Sequence, residues 1–122
     1  TNGTASDSDV AAIDVITDFT AGAGGDKIAV FSDAVGGTAV SLTYEVITAA
    51  NQTLINEDTS LAAAVTQAFT QLGAGTEATA FDYGGKSYIA AGGTSGTYAT
   101  GDNIVIEVTG LDTTILHADN FV

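Results

Sequence analysis

The residues best suited to bind a ligand lie in one glycine-rich stretch, residues 18–30, with the sequence DFTAGAGGDKIAV. Glycine tolerates backbone conformations that other residues avoid, so carbonyl oxygens converge easily in such a stretch. Asp18 and Asp26 add carboxylates on either side of its glycines. Calcium takes about six to eight hard oxygen ligands of these two kinds. The spacing predicts a calcium-binding turn with ligands from Asp18, Gly22, Gly24 and Asp26.

A second interpretation of the aspartates is open. The chain has 11 Asp and 4 Glu, and short carboxylates among glycines are also typical of tight turns and of solubilising charge. Asp14 and Asp9 are weaker candidates as ligands, and Gly101-Asp102 predicts a plain turn.

Residues 21–29 fit a nine-residue calcium-binding pattern, G-G-x-G-x-D-x-U-x, in which U is apolar. Gly22, Gly24, Asp26 and Ile28 occupy their defined positions, and Ala21 replaces the first glycine. In this pattern the apolar residue enters the core of the strand that follows. The chain therefore has one degenerate copy of the pattern and no array of repeats.

Charge and composition argue against several other functions. The formal charge is −13, from 15 acidic side chains and two lysines, so nucleic acid is not an expected partner. No apolar run approaches the roughly 18 residues of a membrane span. Cysteine is absent, which excludes thiol chemistry. Gly85-Lys86-Ser87 lacks the first glycine of a phosphate-binding loop. Ser95 lacks the flanking pattern of a nucleophile, and His117 has no recognisable acid partner in the sequence. We expect no enzyme activity.

The elements expected to position the turn are mostly strands. A hydrophobic content of 45% suffices for a core, and the 122 residues predict a single domain, 1–122, with 1–12 as a loose lead-in. Because methionine is absent, we expect a piece of a longer parent chain.

The fold class predicted is mainly β: a compact β-roll cap or β-sandwich-like domain of short strands with one amphipathic helix. Strands are expected over 13–19, 27–31, 40–46, 78–83, 86–91 and 103–109, and the helix over about 58–72. In the strand at 40–46, Val40, Leu42, Tyr44 and Val46 should share the packed face.

Several segments together resemble the C-terminal domain of RTX-type proteins, which are calcium-binding proteins exported by type I secretion and include surface-layer proteins and adhesins. The opening run IDVITDFTAGAGGDKIAVF is similar to the segment that follows the last calcium-binding repeats of that family. SLAAAVTQAF, FDYGGKSYIAA, GDNIVIEVTGL and LHADNFV then follow in the family's order, so the resemblance covers residues 13–122. The ending Asp119, Asn120, Phe121 and Val122 is similar to the C-terminal signal that the family's exporter recognises.

The resemblance implies a non-catalytic domain located at the cell surface of a Gram-negative bacterium or outside it. Its partner would be the type I secretion machinery, its cofactor calcium, and its task export recognition followed by calcium-dependent folding. An alternative function is a self-assembling subunit of a surface layer or extracellular fibre. Abundant Ala, Gly, Thr and Val with little Lys suit that alternative.

Overall fold

The computed structural model describes residues 10–28, 30–32, 38–40, 42–72, 77–91 and 104–121. It contains seven strands, two α-helices and a short 3-10 helix within these ranges. The strands are β1 Asp14–Ile16, β2 Val30–Ser32, β3 Thr38–Val40, β4 Thr43–Tyr44, β5 Glu77–Tyr83, β6 Lys86–Ala91 and β7 Ile104–Val108. The helices are α1 Ala49–Glu57 and α2 Leu61–Phe69, and the 3-10 helix is Ala118–Asn120. The predicted strand-rich class with an amphipathic helix is confirmed.

Five strands form one mixed sheet in the order β1-β7-β6-β5-β4. Its centre is antiparallel, whereas the outer strands β1 and β4 run parallel to their neighbours β7 and β5. Strands β2 and β3 pair separately as a two-stranded antiparallel ribbon. Among the described strands, the first in sequence, β1, thus lies beside the last, β7, at one edge of the sheet.

The hairpin of β5 and β6 agrees with its sequence prediction. Gly84 and Gly85 form the two-residue turn with φ angles of +60° and +80°. Two consecutive positive φ angles match the twist of a tight hairpin, and glycine adopts them without a Cβ clash. The turn therefore fixes the register that pairs Tyr83 with Lys86.

The predicted helix over 58–72 is observed as α2, which is shorter at both ends. The Ser60 hydroxyl accepts from the Ala63 amide at 3.2 Å and caps the helix, so Asp58 lies outside it. The buried residues Ala64, Val65, Ala68 and Phe69 form the expected apolar face. This face packs against the sheet and supplies much of one core.

Helix α1 was not predicted, because its sequence lacks an apolar stripe and Ile55 is its one buried residue. Polar contacts hold it instead. The Gln52 side chain donates to the Asp82 carbonyl at 2.8 Å and accepts from the Asp82 amide at 3.0 Å, which satisfies the backbone of β5 beyond the end of β4. Gln71, after α2, accepts from the Thr48 amide at 2.8 Å at the start of α1. Hydrogen bonds of amide side chains, rather than a buried apolar face, therefore hold this helix in position.

The expectation that Val46 lies on a packed strand face was wrong, because Val46 is 69% exposed. Leu42 is buried and Tyr44 half-buried, as expected, but β4 ends at Tyr44. The Val46 carbonyl accepts from the Gln71 side chain at 2.7 Å, so the backbone turns toward the helices there. Residue 41 lies outside the described residues, and the side chain of Val40 is not described.

The two faces of the sheet bury two separate cores. The helices cover one face, where Phe69, Phe81, Tyr88 and Val105 meet. Irregular segments cover the other face. They contribute Ile28, Leu111, Leu116 and Phe121. These pack with Leu42, which precedes β4, and with the sheet residues Ala78, Ala80, Ile89, Ala91 and Val108. The second core thus depends on the segments before β2 and after β7.

Thr79 provides a prediction about the first core. It lies on β5, is fully buried, and its hydroxyl has no hydrogen-bond partner among the described residues. An unpaired buried hydroxyl costs about 1–3 kcal/mol, and valine has nearly the same shape. Thr79→Val should raise the free energy of unfolding by about 1 kcal/mol in urea titration. Thr66→Val on the exposed side of α2 is the control and should change it little. A destabilised Thr79→Val would mean that the hydroxyl is bonded.

Candidate functional site

The glycine-rich stretch forms a closed turn between β1 and β2. Gly22 and Gly24 have φ angles of +102° and +83°, which explains the glycines at these positions. The Asp26 amide donates to the Thr20 carbonyl at 2.8 Å, and the Asp26 carboxylate accepts from the Thr20 amide at 2.7 Å. Asp26 therefore closes the base of the turn with both its backbone and its side chain.

A third glycine is required for a steric reason that the nine-residue pattern does not contain. A Cβ on Gly25 would lie 2.1 Å from the Thr20 carbonyl oxygen. That oxygen is backbone and already accepts from Asp26, so it has little freedom to move. The backbone at Gly25 therefore packs directly against the backbone of Thr20, which leaves no room for a side chain at position 25.

Asn120 lies in the centre of this turn, although it comes from the far end of the chain. It is fully buried and makes four side-chain hydrogen bonds. Its amide nitrogen donates to the carbonyls of Gly22 at 3.1 Å and Asp26 at 2.7 Å. Its side-chain oxygen accepts from the amides of Gly22 at 2.9 Å and His117 at 3.0 Å. The full bonding capacity of the amide is used.

The rest of the C-terminal segment is fixed to the same turn. The Ile28 amide donates to the Asn120 carbonyl at 2.6 Å, and Ile28 forms a parallel bridge with Phe121. The Lys27 ammonium donates to the Asp119 carbonyl at 2.5 Å. The Phe121 ring stacks on Tyr44 with centroids 4.9 Å apart, and burial raises the pKa of the Tyr44 hydroxyl above its ordinary value. We call residues 117–121 the C-terminal strap.

His117 begins the strap in a structural role. Its Nδ1 accepts from the Asp119 amide at 3.2 Å, and its own amide donates to the Asn120 side chain at 3.0 Å. These bonds form a capping box at the start of the 3-10 helix. The same Nδ1 atom lies 3.4 Å from the Asp119 carboxylate. His117 thus shapes the strap.

The two predicted sites are brought together by the fold. Gly22, Gly24 and Asp26 form the turn, and Asn120 and Phe121 close it. Asp18 and Asp119 are exposed, and Asp14 is exposed on β1. Asp9, Ser95, Gly101, Asp102 and Val122 lie outside the described residues. Sequence reasoning missed Gly25 and the burial of Asn120; the one signal for the latter was an amide within an apolar ending.

Three carbonyl oxygens of the turn already accept hydrogen bonds from within the chain. The carbonyls of Gly22 and Asp26 accept from the Asn120 side chain, and the Thr20 carbonyl accepts from the Asp26 amide. No cluster of three or more His, Cys, Asp or Glu residues suited to a metal ion occurs in the described ranges. The Asp26 carboxylate itself lies at an exposed residue of the turn.

Gly85-Lys86-Ser87 has the geometry of a hairpin. Lys86 pairs with Glu107 at 2.9 Å, and this hydrogen bond raises the pKa of the lysine. The Ser87 hydroxyl bonds to the Asp82 carboxylate at 2.6 Å. These contacts bind Lys86 to β7 and Ser87 to β5.

Comparison with known proteins identifies no relative of this chain. The chain matches no protein-family model, no curated protein and no solved structure. None of the helices in the described ranges is long and apolar enough to cross a membrane. The fold and site define a strand-rich domain with two helices, closed by its own C-terminal strap.

Proposed function

We propose that this chain is the non-catalytic C-terminal domain of a secreted RTX-like surface protein. Its tasks would be recognition by a type I secretion machinery and calcium-dependent folding outside a Gram-negative cell. The observation that carries the proposal is the bonding of Asn120 to Gly22 and Asp26, at 2.7–3.1 Å. It joins the two segments on which the resemblance most depends, the glycine-rich turn and the chain ending.

The burial of the chain ending supports export before folding. Asn120 is fully buried and Phe121 is 5% exposed in the folded domain. A machinery that recognises these side chains has access to them in the unfolded chain. This order agrees with the RTX family, whose members emerge unfolded and fold afterwards.

The charge balance supports a role for calcium. Both lysines are engaged, Lys86 with the Glu107 carboxylate and Lys27 with the Asp119 carbonyl. With a formal charge of −13, the other carboxylates repel one another and favour cations from solution. We propose that Asp18 and Asp26 bind calcium weakly on the outside of the turn, with water completing the shell. Extracellular calcium modules commonly have dissociation constants of about 10⁻⁴–10⁻³ M.

Thermal unfolding in millimolar calcium and in chelator tests this part of the proposal. Binding to the folded state alone should add about 1.4 kcal/mol when calcium is tenfold above its dissociation constant. Magnesium should add less, because it gives up its water reluctantly. Asp26→Asn keeps an oxygen to accept from the Thr20 amide but loses the charge, so the calcium response should disappear while stability in chelator changes little.

Asp112→Asn is the matched control. The Asp112 carboxylate likewise accepts from a backbone amide, that of Thr114 at 2.9 Å, and its bonds to Thr114 lower its pKa. This variant loses the same charge in a similar turn and should respond to calcium like the parent chain. Equal melting in calcium and chelator, or an Asp26→Asn variant with the full response, would contradict the proposed calcium role.

A further inference from the structure

The two edges of the five-stranded sheet differ in how they are covered. At the β4 edge, the Glu45 amide donates to the Ala78 carbonyl at 2.8 Å, and the Gln52 side chain bonds to the backbone of Asp82. At the other edge, β1 pairs with β7 on one side, and no strand in the described ranges pairs with its other side. Proteins usually cover or block such an edge, because its unpaired backbone groups bind other strands. The β1 edge is therefore where a further strand can join the sheet.

The register of β1 determines which of its backbone groups face outward. The Thr109 amide donates to the Ile16 carbonyl at 2.8 Å, so the backbone groups of Ile16 face β7. In a parallel ladder alternate residues bond to the same neighbouring strand, so the N–H and C=O groups of Val15 face away from β7. Val15 is also 51% exposed. It thus offers a donor, an acceptor and an apolar side chain to one approaching strand.

The side chains of β1 have different character on the two faces of the sheet. Ile13 packs against the first core, so alternation places Val15 on that face as well. Ile16 packs against the second core, so Asp14 lies on the opposite face from Val15. Asp14 is exposed, and so is Asp18, two residues after the strand ends. The edge therefore has an apolar position on one face and negative charge on the other face and beyond its end.

We infer that the β1 edge binds an extended basic segment of another protein as a sixth strand of the sheet. Backbone hydrogen bonds to Val15 would hold the segment, with an apolar side chain beside Val15 and a basic side chain beside Asp14. The inference goes beyond export and calcium binding, and it depends on neither of them.

Charge favours a basic partner over a second copy of this chain. The formal charge is −13, and both lysines are engaged, Lys27 with the Asp119 carbonyl and Lys86 with the Glu107 carboxylate. Two copies paired at β1 would bring two negative domains and their Asp14 carboxylates together, which is unfavourable. A strand that carries lysine or arginine is attracted to the same place, and salt screens this attraction.

A short peptide of alternating lysine and valine is the probe, and the same peptide with glutamate for lysine is its control. In calorimetric titration of the full-length chain, the basic peptide should bind at least about tenfold more tightly than the acidic one. Its affinity should fall as the salt concentration rises. The Val15 amide should exchange its hydrogen quickly in the free chain and slowly with bound peptide, whereas the Ile16 amide should be protected in both states.

Val15→Pro removes the outward N–H group alone, because proline lacks this donor and is tolerated on edge strands. The basic peptide should bind this variant about tenfold more weakly, since one lost hydrogen bond corresponds to about that factor. Val15→Thr keeps the donor and the β-branched shape, so it is the matched control and should bind like the parent. If Val15→Pro does not fold, Asp14→Asn replaces it and should reduce both the affinity and its salt dependence.

Equal binding of the basic and acidic peptides would overturn the inference, as would a Val15 amide that is already protected in the free chain. Binding that leaves Val15 exchange unchanged would also overturn it, because the peptide would then lie elsewhere on the acidic surface. Protection of Val15 that grows with protein concentration alone would identify a second copy as the occupant and contradict the inference. These readouts need no calcium, so their failure would leave the proposed calcium role standing.

Discussion

Replacing Asn120 with alanine should lower the free energy of unfolding by about 3 kcal/mol and the melting temperature by about 10 °C. The reason is the number of groups left without partners. The variant frees the amides of Gly22 and His117 and the carbonyls of Gly22 and Asp26. Each buried group that stays unpaired costs about 1–3 kcal/mol, and water that enters the opened turn recovers part of this. Urea and thermal unfolding measure the loss.

Asn120→Asp tests the hydrogen bonds that the side-chain N–H₂ group donates, because it removes these donors and keeps the shape of the side chain. The new carboxylate fills the same space and still accepts, but it places negative oxygen opposite the carbonyls of Gly22 and Asp26 in place of an N–H donor. We expect a comparable loss of stability at neutral pH. Burial near carbonyls raises the pKa of such a carboxyl group, so the loss should be smaller at acidic pH and grow as pH rises.

Asn56→Asp is the matched control, since it makes the same charge change at an exposed position on α1. It should alter the free energy of unfolding by less than about 0.5 kcal/mol. An Asn120→Ala variant within about 1 kcal/mol of the parent would contradict the role of the strap.

The second large effect concerns Gly25. Gly25→Ala would place a methyl group 2.1 Å from the Thr20 carbonyl oxygen, so the backbone of the turn must shift. Moving Thr20 breaks its bonds to Asp26, and the Asn120 contacts depend on the same backbone. We expect a loss of about 3 kcal/mol in urea titration.

Gly24→Ala is the comparison that isolates the steric cause. Gly24 has a φ angle of +83°, but a Cβ there would meet no atom within 4 Å. Its cost should be that of a left-handed conformation alone, about 1 kcal/mol. If Gly24→Ala were the more harmful of the two, the close approach at Gly25 would not be what determines the turn.

Local sequence patterns predicted the second half of the sheet well. The strands expected over 13–19, 27–31 and 40–46 are observed only as the short strands β1, β2, and β3 with β4. Alternating and β-branched residues placed β5, β6 and β7 within a residue or two, and Gly84-Gly85 predicted the hairpin turn. The spacing of Ala64, Val65, Ala68 and Phe69 predicted α2, but the cap at Ser60 set its start. Helix α1 was not predicted, because side-chain hydrogen bonds of Gln52 and Gln71 position it. Such contacts leave no periodic pattern of apolar residues in the sequence.

The sequence predicted the glycine-rich turn and the chain ending separately, but it did not predict that they contact each other. The glycines and Asp26 mark a turn in the sequence alone, since they serve backbone conformation and local bonding. The position of Asn120 depends on the parallel pairing of β1 with β7, which brings distant segments together. An amide within an apolar ending is therefore a signal of burial, but it does not identify the segment to which Asn120 bonds.

The structure also changes how a calcium contribution is best understood. The Asn120 amide nitrogen donates to the two carbonyls of Gly22 and Asp26, so an N–H₂ group lies between these two oxygens. The carboxylates of Asp18 and Asp26 remain on the exposed side. The proposed calcium would then bind to a turn that its own chain already closes and would stabilise it further.

Native-state hydrogen exchange tests the central claim, that residues 20–28 and the C-terminal strap form one cooperative unit. The informative amides are those of Gly22, Ile28 and His117, which all donate to Asn120. We predict that they open with one common free energy and that Asn120→Ala lowers it for Gly22 and Ile28 together. Separate opening free energies, with Ile28 unchanged in the variant, would contradict the account.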